Sequence, residues 1–324
     1  MNRRLSALVL ASTLPLAACQ QQSPSEHGPE QVMGNATPAA SPAEMDPEGE
    51  VIEIGEVTDL VRAGDTLAAR VGDELLTGTL AQFRSGSVDS VDAAGCTDVT
   101  ATGENIVLTC GSEARVLGGE TVSLTAPAQT AVLTSSGEII AAPQGTEDVQ
   151  VYRDGELAEE FAVAGTTDEL LALPREGRED AVVRLNRSET RVQDLRWQDG
   201  EQGGTLRAGL GAGSMGGMGA GSEGIAVVSD TIGHQIMIYT LDDVIRLQQT
   251  APTPESPWAA AWDGHLAWVA STATNTATGY DISGGVPVEE SHVATIADVR
   301  QMVATDDGLV LGGARGLQII PTER

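Results

Sequence analysis

From Val51 onward the chain consists of short runs of Val, Ile, Leu and Thr, cut at near-constant intervals by glycine and acid pairs. The pairs are Gly72-Asp73, Gly103-Glu104, Gly137-Glu138, Asp168-Glu169, Glu223-Gly224, Asp263-Gly264 and Asp307-Gly308. Their spacing averages about 39 residues, the length of one blade of a β-propeller. Such pairs supply the backbone conformations of tight turns, and the runs between them are too short and too β-branched for helices. Three copies share more than the pair. Met218-Gly-Ala220, Trp258-Ala-Ala260 and Met302-Val-Ala304 each precede a turn and a second apolar run, Ile225-Ala-Val-Val228, Leu266-Ala-Trp-Val269 or Leu309-Val-Leu311. Small residues in the first run suit an innermost strand, where neighbouring blades crowd together. The expected fold is all-β, a seven-bladed β-propeller over 51–324, with Val51-Ile-Glu-Ile54 completing the last blade beside the C-terminal strands.

The chain has three cysteines. Cys96 and Cys110 flank two β-rich arms that meet near Gly103-Glu104, so folding the arms together brings the two sulfurs across neighbouring strands. A disulfide there closes a loop of about 15 residues and contributes roughly 3 kcal/mol in the chain-entropy model. The spacing is not that of a redox Cys-x-x-Cys pair.

The third cysteine ends Leu16-Ala-Ala-Cys19, which follows Arg3, Arg4 and an apolar stretch over 5–16. This resembles the lipobox of bacterial lipoproteins, in which the leader is cleaved and the cysteine becomes the lipidated first residue. The resemblance makes 1–18 a signal peptide, Cys19 a lipid anchor, and the cell membrane, on its extracytoplasmic side, the expected location. Residues 20–50 are rich in Gln, Ser, Pro, Glu, Ala and Gly, a composition unable to bury a core, and read as a flexible stalk. The formal net charge is −29, with 47 acids against 18 basic residues, all arginine. A chain this acidic repels phosphates, so nucleic acid is not an expected partner. Most of the acids read as a solvated surface.

Few residues suggest chemistry. Gly211-Ala-Gly213-Ser-Met-Gly216 satisfies a dinucleotide-binding spacing, and Ala212-Gly-Ser214-Met-Gly216 nearly satisfies a nucleophile elbow. Both motifs require a strand-to-helix context that the β pattern does not supply, so the stretch reads as a close inner-strand approach or a loop near the channel, with Ser214 a candidate ligand contact. Of four histidines, His27 lies in the stalk, and His234, His265 and His292 lack zinc-ligand spacing. Residues 89–92 lack the alternating ligands of a calcium loop. No metal, cofactor or catalytic residue is assigned. Trp258 and Trp268 read as packing between blades, whereas Trp262, just before Asp263-Gly264, reads as the more exposed tryptophan and a ligand contact. Ser214, His234, Trp262 and His265 are therefore the candidate ligand-binding residues.

The lipobox, the polar stalk, the stretch Ser214-Met-Gly-Gly-Met218 and the block from Val227-Val-Ser-Asp230 to Tyr239 together resemble the LppL-type prolipoproteins of mycobacteria and corynebacteria. The resemblance implies an actinobacterial envelope lipoprotein and brings no catalytic residues with it. More loosely, the chain is similar to secreted quinoprotein and lactonase propellers, without their metal-ligand sets. The expected function is a membrane-anchored module that binds an envelope protein or a small ligand without catalysis. The alternative is a hydrolase- or lactonase-type propeller enzyme using acids and His234 or His265 at the channel mouth.

Overall fold

The computed structural model describes residues 33–322; the leader, Cys19 and the first part of the expected stalk lie outside them. Seven four-stranded antiparallel sheets stand in a ring as a seven-bladed β-propeller. The innermost strands, from blade 1 to blade 7, are Val57–Ala63, Asp98–Thr102, Ala128–Leu133, Glu169–Leu173, Ala212–Ala220, Pro257–Trp262 and Gln301–Thr305. Each packs against the innermost strands of both neighbours, which closes the ring around a central channel. Glu50–Glu53 pairs with Gly316–Ile320 and becomes the outermost strand of blade 7, so that both ends of the propeller domain are tied into one sheet.

Burial falls from the axis outward. The second strand of blade 4, Ala181–Asn186, is buried throughout, whereas the outermost strand of blade 3, Glu156–Ala162, exposes all but Phe161. Apolar side chains of adjacent blades form separate clusters between the sheets, such as the one joining Val228 and Tyr239 of blade 5 to Val183 and Leu185 of blade 4. The one helix among the described residues, Leu80–Ser85, is capped by Thr79 and Gln82 and stopped by Gly86 at a φ of 67°.

Five of the seven turn pairs mark the hairpin between the first and second strands of a blade. Gly72-Asp73 instead joins the second and third strands of blade 1, and Asp168-Glu169 runs into the innermost strand of blade 4. Every hairpin demands turn residues, so a turn signal does not report which hairpin it closes. The Cys96–Cys110 disulfide is present, at the open end of the hairpin that pairs Asp98–Thr102 with Asn105–Thr109.

The stalk expectation is corrected over 33–49. This segment forms a strap across the face where the innermost strands begin, bonded to loops of blades 4 to 7. Gly34 N donates to Leu210 O at 2.9 Å, Ala39 N to Ser256 Oγ at 2.8 Å, and Ser41 Oγ to Thr272 O at 2.8 Å. Asn275 Nδ2 donates to Pro42 O at 2.9 Å, and Glu44 pairs with Arg315 at 2.7 Å. A segment with no core of its own is ordered by polar bonds to a surface already folded, which composition does not register.

Loops between blades are clamped from inside. Asp230, fully buried in blade 5, accepts from the backbone N–H groups of Leu210, Gly211 and Gly233 at 2.9–3.0 Å and from Gln235 Nε2 at 2.7 Å. In blade 4 the buried Arg184 guanidinium donates to Gln193 Oε1 at 2.6 Å and to the carbonyls of Gly165 and Thr166, holding the loop that enters the blade. Burial depresses the pKa of Arg184 to about 10.

Candidate functional site at the central channel

The channel encloses about 460 Å³ and is lined by the innermost strands of six blades, all but blade 3. Because these strands run in the same direction, their first residues gather at one end and their last residues at the other. Asp59, Asp98 and Glu169, near the starts of three strands, give the entry end its carboxylates. Met302, second in its strand, and Met218 follow along the wall, and toward the exit stand Ala261, Trp262 and Ala304.

The three carboxylates differ in their partners. Glu169 pairs with Arg187 and accepts from Met215 N at 2.9 Å. Arg187 is held in turn by Gly213 O at 2.6 Å and lies 5.8 Å from the centre of the Trp258 ring, in cation–π contact. Burial raises the pKa of Glu169 despite the lowering effect of Arg187. Asp59 is raised by the same cause, opposed by the Thr58 hydroxyl and by Arg70 at 3.6 Å. Asp98 is pushed up to about 7 by burial first, opposed by the Thr130 hydroxyl and raised further by the charges of Asp59 and Glu169. No guanidinium opposes it.

The glycine-rich stretch is the innermost strand of blade 5, neither a nucleotide loop nor an elbow. A Cβ at Gly216 would lie 2.1 Å from Ala260 O, and one at Gly219 would lie 1.8 Å from Pro174 O. These glycines let the backbone of blade 5 touch those of blades 4 and 6 beside the channel.

The four candidate ligand residues do not converge. Ser214 lines the channel, but its hydroxyl donates to Trp258 O at 2.8 Å and so bridges blades 5 and 6. Trp262 also lines the channel, at the exit end, yet it is 8% exposed and belongs to the apolar cluster of blades 5 and 6. Its expected greater exposure is corrected: it ends a strand that points inward, while Trp258 is the half-buried tryptophan at the entry end. Trp268 is core as expected, and its indole donates to Asp263 Oδ2 at 2.7 Å. His234 sits at a φ of 52° in the turn between the second and third strands of blade 5, its Nδ1 accepting from Ser256 N at 3.2 Å. His265 lies exposed in the hairpin after Trp262, on the opposite face. Neither histidine lines the channel. Among the described residues no three His, Cys, Asp or Glu side chains are grouped to hold a metal ion.

Sequence reasoning missed Asp59, Asp98, Glu169 and Arg187. Glu169 was visible only as turn punctuation, and Asp98 as the second residue after Cys96. The signal available was position: each acid stands at or near the start of an innermost strand, where side chains meet the channel mouth.

No protein-family model and no curated protein sequence matches the chain. Solved structures do match in fold. The chain is similar to Kuenenia stuttgartiensis hydrazine synthase, at 9% identity and a TM-score of 0.59, over 89% of this chain and 99% of that one. It is also similar to virginiamycin B lyase from Staphylococcus aureus, at 10% identity and a TM-score of 0.60, over 84% of this chain and all of that one.

Proposed function

We propose that the protein is a ligand-binding propeller of the cell envelope, anchored through lipidated Cys19 as an LppL-type lipoprotein, that takes a small molecule into its central channel without transforming it. The observation that carries this reading is the channel itself: about 460 Å³, walled by six blades, acidic at one end and largely apolar at the other. Sites for small molecules have this mixture of apolar wall and a few directed polar groups. The strap binds the entry face without lining the channel, so a ligand has a route past it.

The test is native mass spectrometry of protein extracted from its own membrane, beside an Ala101→Phe variant that fills the channel at a lining position. A small molecule retained by the native protein and lost from the variant is the expected result. Retention by both, or by neither, overturns the reading. Cys19→Ser tests the anchor separately: the variant should leave the membrane fraction, and unchanged retention there removes the lipoprotein assignment.

A second reading, a propeller enzyme of hydrolase or lactonase type, draws on Asp98, whose carboxyl near 7 is suited to proton transfer at a cavity wall. His234 and His265 do not serve it, since they stand on opposite faces away from the channel. It predicts that the retained molecule turns over and that Asp98→Asn stops the turnover.

A further inference from the structure

The charges around the channel leave a remainder. Arg70 lies 3.6 Å from Asp59, Arg187 pairs with Glu169, Arg300 lies 3.5 Å from Asp298, and Arg62 lies 3.2 Å from Asp306. Each of these four guanidiniums has a carboxylate to answer it. Asp98 is the one lining carboxylate, among the described residues, that enters no ion pair.

Its position is fixed. The Cys96–Cys110 disulfide closes the hairpin two residues before it, and Thr97 Oγ1 bonds both Thr109 O at 3.2 Å and Ala128 O at 3.1 Å. Past Asp98 the walls turn apolar, with Met302 the second residue of its strand, Met218 further along and Trp262 at the exit, where Arg62 also lines the cavity. One end of the channel therefore favours a single positive charge, and the apolar walls beyond it favour hydrocarbon over a second, desolvated cation.

Building on the channel reading above, we infer that the ligand is an amphipathic monoamine, with its ammonium group against Asp98 and its apolar body along Met218, Met302 and Trp262. A carboxylate fixed in a largely desolvated wall discriminates for an ammonium over a hydroxyl of the same size, because the hydroxyl leaves the charge uncompensated.

Hexylamine, hexanol and hexamethylenediamine serve as probes by isothermal titration calorimetry on the intact folded protein. At about pH 8, where Asp98 is ionised, hexylamine should bind roughly tenfold or more tightly than hexanol, with the diamine weaker than the monoamine. In Asp98→Asn the preference for hexylamine over hexanol should vanish while hexanol still binds, which also shows that the variant is folded. The groups facing Asp98 are Asp59 of blade 1, Thr130 of blade 3 and Glu169 of blade 4. With the first and last held by Arg70 and Arg187, the amine preference should fall as pH drops through about 7.

Equal binding of hexylamine and hexanol by the native protein overturns the amine inference and leaves the channel reading standing. So does an amine preference that survives in Asp98→Asn. If no probe binds, the amine inference falls, and the channel reading stands or falls on the Ala101→Phe comparison above.

Discussion

Replacing Asp230 should unfasten the joint between blades 4 and 5. The carboxylate is fully buried and receives three backbone N–H groups and one side-chain amide, all within 3.0 Å. The chain is wrapped closely around it: a Cβ at Gly209 or at Gly233 would lie 2.0 Å from its Oδ2. Asp230→Ala removes every acceptor at once and strands donors that have no other partner. An unsatisfied buried donor costs about 1–3 kcal/mol, and water entering the vacated space recovers part of it, so the net loss should be about 3–5 kcal/mol. For a domain of this size that corresponds to a fall in Tm of about 5–8 °C. Asp230→Asn keeps one oxygen for the three backbone donors and should lose only about 1–2 kcal/mol. Thermal unfolding by circular dichroism of the three proteins should rank them native, Asn, Ala. An Ala variant melting within about 2 °C of the native protein would refute the clamp.

Three further outcomes follow from the geometry. Gly216→Ala drives a methyl group into Ala260 O and should destabilise by about 1–3 kcal/mol, read as a lowered urea midpoint, whereas Gly221→Ala, whose Cβ would meet open space but whose φ is +60°, should show only the smaller strain of that conformation. Double replacement of Cys96 and Cys110 by Ser should lower stability by roughly 3 kcal/mol, and peptide mapping without reductant should recover the two cysteines as one linked pair. Asp98 has a folded pKa of about 7 against an unfolded value of about 3.9, so the folded state binds its proton more tightly. Stability from this group is therefore complete below about pH 4 and is lost as pH rises through about 7, a difference of up to about 4 kcal/mol before screening by water in the channel. Asp98→Asn should accordingly raise Tm more at about pH 8 than at about pH 5, and an equal change at both would contradict the assignment.

The architecture was legible because propeller blades repeat: crowding at the axis selects small residues such as Ala260 and Ala304, and tight hairpins select glycine and acids whatever the blade's other contents. Blade count survived two misplaced turn pairs, at Gly72-Asp73 and Asp168-Glu169, since an error of one hairpin shifts a blade's phase but not the period. The disulfide was legible because a β-hairpin folds its ends together. The channel was not. Its carboxylates come from blades 1, 2 and 4, spread over more than a hundred residues of chain, and nothing local separates Asp98 from the other carboxylates among 47 acids. Trp262 was misjudged for a related reason: proximity to a surface hairpin says nothing about which way the last side chain of the preceding strand points. The strap over 33–49 escaped because its order comes from partners such as Ser256, Asn275 and Arg315, all more than 200 positions away.

A crystal structure of the protein extracted from its native membrane bears most directly on the channel. The account predicts a bound molecule inside it, touching innermost strands of several blades at once, with a polar group at Asp98 and its remainder toward Met302 and Trp262. A channel holding only water, with the natural ligand or partner seated on the outer rim of the blades, would contradict it.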